Sequence, residues 1–120
     1  MADLGFPRSL RLRRSLDFQA VQRAGRRQTA PHLVVLCLKR EGAARFGVSV
    51  SRKVGGAVVR NRVKRRLREA IRHHRHGIAG VDVVFIAKPS AAAATGSDLS
   101  ASVKLVLSQV RGITPSRESP

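Results

Sequence analysis

The chain has 120 residues, 24 Lys plus Arg against 7 Asp plus Glu, a formal net charge of +17, and 42% hydrophobic residues. That length holds one domain, which buries roughly two-thirds of the surface its unfolded chain exposes, and the charge excess calls for a polyanionic partner to relieve self-repulsion. A single cysteine, Cys37, excludes an intrachain disulfide and a cysteine zinc site, and the longest apolar run, residues 33–38, is far below the ~20 residues of a membrane span.

Arg outnumbers Lys nineteen to five, which favours forked contacts to phosphate over simple charge compensation. Residues 1–14 carry Arg8, Arg11, Arg13 and Arg14 without an apolar stretch, unlike a secretory signal, so the expected location is the cytoplasm. With Gly5, Pro7 and no sustained period, residues 1–13 read as a mobile basic arm. A short helix is expected over residues 16–23, capped by Ser15, with Asp17 in its first turn, Phe18 and Val21 on one face, and Gly25 as its stop.

Residues 33–39 form a continuous apolar strand, and Lys39, Arg40, Glu41 and Gly42 read as a turn. Residues 45–51 alternate, with Phe46, Val48 and Val50 on one face and Gly47, Ser49 and Ser51 on the other. They are expected to pair antiparallel with the preceding strand across that turn. Gly55 and Gly56 then break the chain. From residue 59 to 72, Val59, Val63, Leu67, Ala70 and Ile71 recur at helical spacing within an arc of about 120°. Asn61, Arg65, Arg68 and Arg72 point away from that stripe. Arg60 and Lys64 border it on one flank and Arg62 and Arg66 on the other, their stems lying along it and their heads reaching out.

Residues 81–88 form another strand, stopped by Pro89. After an alanine-rich loop, Ser97 or Asp98 caps a last helix striped by Leu99, Val103, Val106, Leu107 and Val110 and closed by Gly112. Residues 113–120 read as a disordered tail, which leaves residues 14–112 as a single domain. The fold class is α+β: a small two-layer sandwich of helices on a mixed, mainly antiparallel sheet, in the order α-β-β-β-α-β-α.

Between residues 45 and 75 there are eleven Lys or Arg and one acid, Glu69. Guanidinium groups on a rigid helix meet closely spaced phosphates at little ordering cost, and each neutralised phosphate releases counterions. A solvated face would need balancing acids, which are missing. Catalytic readings fare badly. His73, His74 and His76 sit at a helix end, where cations suit the dipole, and lack spaced Cys, Asp or Glu partners. The seven carboxylates show no pair at spacing for acid–base or two-metal chemistry. Cys37 reads as a small core residue, and the Gly55–Gly56 break lacks the Gly-Lys-Ser of a phosphate loop. No catalytic residue and no metal site of the polypeptide is expected. The alternatives are a ribosomal or other structural RNA-binding protein without a role in cleavage, a DNA-binding protein using the basic helix in a major groove, and a self-sufficient nuclease.

The run RFGVSVSRKVGGAVVRNRVKRRLRE at residues 45–69 resembles the bacterial ribonuclease P protein subunit. The likeness lies in Arg60, Asn61 and Arg62, followed by Lys64, Arg65 and Arg66, and in the preceding strand and glycine loop with Ser49, Ser51, Arg52, Lys53, Val54 and Gly55. Leu16, Asp17, Phe18, Val21 and Gly25 also fit, as does IAKPS at residues 86–90. The resemblance implies an accessory subunit of an endonuclease that removes the 5′ leader of precursor tRNA, with the chemistry carried by a catalytic RNA. It implies a left-handed strand–helix–strand crossover around the basic helix, against the right-handed form that general rules favour.

By the same resemblance, Arg60, Asn61, Arg62, Lys64, Arg65, Arg66 and Arg68 engage the catalytic RNA, and Arg45, Arg52 and Lys53 extend that surface. Phe18, Gln22, Leu36, Ser49 and Ala87 line a cleft for the leader, where Gln22 and Leu36 stand in place of family aromatics. Mg2+ is held chiefly by RNA and substrate, with none bound by the protein alone. The implied partners are the catalytic RNA and precursor tRNA, with no membrane and a monomeric protein, one per RNA.

Overall fold

Where apolar residues alternate or recur every three to four positions, the chain builds strands and helices. The computed structural model describes Arg11 and residues 15–113. Its elements are α1 (Ser15–Ala24), β1 (Arg26–Ala30), β2 (Leu33–Ala43), β3 (Arg45–Ser49), α2 (Ala57–His74), β4 (Ala79–Ala87), a 3₁₀ helix (Pro89–Ala93) and α3 (Gly96–Ile113). One four-stranded sheet runs in the order β1-β2-β4-β3. β1 with β2 and β2 with β4 are antiparallel, while β3 with β4 is parallel.

This order corrects the expected hairpin. Residues 33–39 and 45–51 do not pair, because β4 lies between them. The stretch read as a turn, residues 39–42, is the continuation of β2, with a register shift between Lys39 and Ala43. The physical reason is apolar content: β2 and β4 are near-continuous apolar runs that need cover on both faces, so they take the centre, and half-polar β3 takes an edge. β1 (RRQTA) carries no apolar alternation and escapes a periodicity reading. It is made by its turn, where Pro31 is followed by His32 at φ 70°, the order a type II turn requires.

The main core lies between the sheet and helices α2 and α3. Leu33, Val35 and Cys37 of β2 and Val83, Phe85 and Ala87 of β4 face Val63, Leu67, Ile71, Leu99, Val103 and Leu107. A smaller cluster occupies the other face, where Val21 of α1 packs on Leu36 and Val84, with Phe18, Leu38 and Ile86 around it. The two-layer sandwich therefore carries α1 as a partial third layer, covering the otherwise exposed apolar face of the central strands.

Local chemistry sets the helix ends. A Cβ on Gly25 would stand 2.4 Å from the Val21 carbonyl oxygen, which leaves glycine as the only residue able to follow α1 this closely. α3 starts before the predicted caps. Thr95 Oγ1 accepts from the Asp98 amide while Asp98 Oδ2 accepts from the Thr95 amide, each at 3.0 Å, a reciprocal capping box. Those bonds hold the Asp98 carboxyl below the usual range. The helix runs one residue past Gly112.

Arg11, placed in the mobile arm by its sequence, forms a parallel bridge with Phe46 on β3. The rest of that arm apart from residue 11, and residues 114–120 of the expected tail, lie outside the described residues.

Candidate nucleic-acid interface

α2 buries Val63, Leu67, Ala70 and Ile71, with Val59 packed against the same core, so the arc opposite that stripe is presented outward. Gly56 precedes it without a side-chain cap, and no acid occupies its first turn. Nothing there offsets its cations. A Cβ on Gly55 would meet Val59 Cγ1 at 2.9 Å, which explains the glycine at this entry.

The structure divides the predicted RNA-binding residues into two groups. Arg60 donates from Nε to the Gly55 carbonyl at 3.1 Å, Arg62 from Nη2 to the Ala92 carbonyl at 2.9 Å, and Arg66 from Nη1 to the Ala94 carbonyl at 2.8 Å. Arg62 and Arg66 thereby strap α2 to the 3₁₀ turn that leads into α3, and the Nε of Arg62 is buried. Lys64, Arg65 and Arg68 have no ion-pair or hydrogen-bond partner for their side chains among the described residues. With exposed Asn61 they span an arc of about 100° on the helix, at 100° per residue.

Arg72, on the same arc, is held by Glu69, which also meets His73 at 3.1 Å. The Arg72 guanidinium, with help from His73, keeps the Glu69 carboxyl below its ordinary range. The lone acid of α2 is thus engaged along its own helix. Arg52 and Lys53 are exposed on the turn before α2. Arg45 is elsewhere. Its Nε and Nη2 grip the two Asp82 oxygens at 3.0 and 2.8 Å, and Arg40 Nε approaches the same carboxylate at 3.5 Å. Asp82 is 4% exposed, so this cluster ties β2, β3 and β4 together at one end of the sheet.

Strand register sorts the residues predicted for the cleft onto the two faces of the sheet. Across the sheet, Thr29, Val34, Ile86 and Ser49 form one row, and Arg27, Leu36, Val84 and Gly47 the next. These rows belong to the face that carries α1. Half-buried Phe18 and exposed Gln22 rise beside them from α1, and Ser49 closes the far side. Four of the five predicted cleft residues therefore share one surface, with Leu36 forming its floor at 7% exposure. Ala87 does not join them. It pairs with Leu33 and is buried in the main core on the opposite face. Successive strand residues point to opposite faces, so its neighbour Ile86 stands on the α1 face, packed against the Val21, Leu36 and Val84 cluster. Parity along β4 with Val84, which pairs with Leu36, is the signal that identifies Ile86.

Comparison with known proteins adds a family. The family model for ribonuclease P matches residues 6–111. A ribonuclease P protein component of Brevibacillus brevis is 41% identical over 109 residues, covering 88% of this chain and 86% of the relative. One from Desulfovibrio desulfuricans is 49% identical over 89 residues, covering 71% and 68%. Among solved structures, the Staphylococcus aureus RNase P protein superposes with a TM-score of 0.78 at 31% identity, covering 85% of this chain and 95% of that one. The Thermotoga maritima protein gives 0.74 at 28% identity, covering 82% and 96%. With a matching family model over most of its length, a mixed sheet in the same architecture and a basic α2 on its surface, this chain belongs to the ribonuclease P protein family.

Proposed function

We propose that this chain binds the catalytic RNA of ribonuclease P through α2 and holds the 5′ leader of precursor tRNA in the cleft between α1 and the sheet. The observation that carries the reading is the arc of Lys64, Arg65 and Arg68, cations without partners among the described residues, on a rigid, otherwise well-anchored helix. Phosphates are the complementary ligand, because each contact releases condensed counterions. Asn61 lies on the same arc and suits a sugar or phosphate contact, and Arg52 and Lys53 extend the field. Arg60, Arg62 and Arg66 keep further N–H groups beyond those that bind carbonyls, so the arginines that brace the loops also face the RNA. Arg45 contributes by holding β3 in place through Asp82.

In the cleft, Phe18 offers a ring for base stacking, worth about 1–3 kcal/mol per base, and Gln22 and Ser49 offer polar contacts. The protein assists endonucleolytic removal of the leader while the RNA carries the chemistry. Magnesium is held chiefly by RNA and substrate in this reading. The positive surface lowers phosphate repulsion around that ion. One monomer per RNA and a cytoplasmic setting complete the proposal; among the described residues no helix is long and apolar enough to cross a membrane.

The test is reconstitution of the chain with a bacterial catalytic RNA and precursor tRNA at low magnesium. Stimulated release of an intact leader is the expected result. Cleavage independent of protein concentration, with the RNA still bound, would instead mark a purely structural RNA binder.

A further inference from the structure

A second basic surface lies on the opposite edge of the sheet from β3. Arg23 near the end of α1, Arg26 and Arg27 at the start of β1 and Lys39 of β2 are all exposed. Their side chains have no hydrogen-bond or ion-pair partner among the described residues. The fold gathers them: Gly25 seats the chain against the Cys37 carbonyl, and register sets Arg26 opposite Cys37 and Arg27 opposite Leu36.

Round the β1 edge from Arg27, on the side of the sheet that carries α3, a hollow of about 280 Å³ opens beside Arg26 and Lys39, with Ala24, Cys37, Leu38, Val81 and Val110 in its wall. Burial pushes the Cys37 thiol up to about 11, so the sulfur in this wall is uncharged at neutral pH. An apolar recess flanked by free cations complements a chain of phosphates carrying flat bases. Arg27 also stands in the same row, on the same face, as Leu36 and Val84 of the cleft. A strand leaving the cleft across β2 meets it next.

We propose that the β1 edge is a second RNA-binding surface, where Arg23, Arg26, Arg27 and Lys39 hold the backbone of the leader beyond the cleft and the hollow receives one of its bases. This rests on the leader reading above, and leader length separates the two. Affinity of the reconstituted holoenzyme is compared for mature tRNA, a precursor with a leader just long enough to fill the cleft, and one several nucleotides longer.

The short leader's advantage over mature tRNA tests the cleft, and the long leader's advantage over the short one tests the edge. In the variant Arg23→Gln, Arg26→Gln, Arg27→Gln and Lys39→Gln, the long-over-short gain should vanish while the short-over-mature gain survives. The salt slope for the long precursor should fall by up to about 3, at roughly 0.7 per lost single-strand phosphate contact. An abasic spacer in the distal leader should lower the long-leader gain in the wild type. An unchanged long-over-short gain in the variant, or none in the wild type, overturns the proposal. So does a variant that self-associates with leader affinity intact, because charges on an edge strand would then serve only to block sheet extension.

Discussion

Within two turns of one helix, arginines of identical chemistry have different work. Arg62 and Arg66 spend part of their forks on carbonyls of the turn before α3, whereas Arg65 and Arg68 keep theirs for solvent or ligand. Hydrogen bonds from charged donors contribute about 1.5–3 kcal/mol, so Arg62→Ala should lower the denaturant midpoint by a loss of that order. Arg65→Ala and Arg68→Ala should each leave stability within about 0.5 kcal/mol and flatten the salt dependence of catalytic-RNA binding by roughly 0.9 per phosphate contact. Parallel unfolding curves and RNA titrations across salt check the split. Equal stability losses for all three would end it.

Cys37 gives a pH signature at the same scale. Its thiol is 7% exposed and its pKa rises from 9.0 to about 11 on burial. A raised folded pKa means that the native state holds the proton more tightly. The resulting stability is complete below pH 9 and is lost as pH climbs through 11, by roughly 3 kcal/mol. Urea unfolding from pH 8 to 11.5 should show this decline, and Cys37→Ala should flatten it. A thiol reagent at neutral pH should modify the unfolded chain and spare the native one.

For the elements, the decisive quantity is parity. The strand expected over residues 81–88 is β4, at Ala79–Ala87, yet a shift of one residue exchanges the α1 face for the core. Ile86→Ala should weaken discrimination between leader-bearing and mature tRNA with little loss of stability, because Ile86 is only partly covered. Ala87→Leu should overpack the interior against Leu33 and cost about 1–3 kcal/mol while leaving cleft selectivity in the surviving folded protein intact. Denaturant midpoints beside competition binding distinguish these outcomes, and the reverse pattern would mean that the register is misplaced. Phe18 and Val21 were legible as one helix face, because i and i+3 alignment is local. That the face covers Leu36 and Val84 was not.

The charge balance acts on the molecule as a whole. At +17 the folded chain repels itself, and ligands that bind only the native state stabilise it by mass action. Sulfate or phosphate should raise the melting temperature progressively, beyond an equal ionic strength of chloride; identical curves in the two salts would mean that screening alone is at work.

Composition and the residue 45–69 motif were enough to indicate an α+β domain of this family, and the 3.6-residue period was enough to lay out α2 with its outward cations. Those properties are encoded within a few turns of chain. The strand order β1-β2-β4-β3, the choice of Ile86 over Ala87, and the sorting of arginines into braces and free heads depend on partners 28 to 58 positions away, as in Arg66 with Ala94, Arg45 with Asp82 and His32 with Ser90. Only tertiary packing brings such groups together. A periodicity shows that a side chain points outward, but what meets it there is decided by which distant segment the core draws alongside.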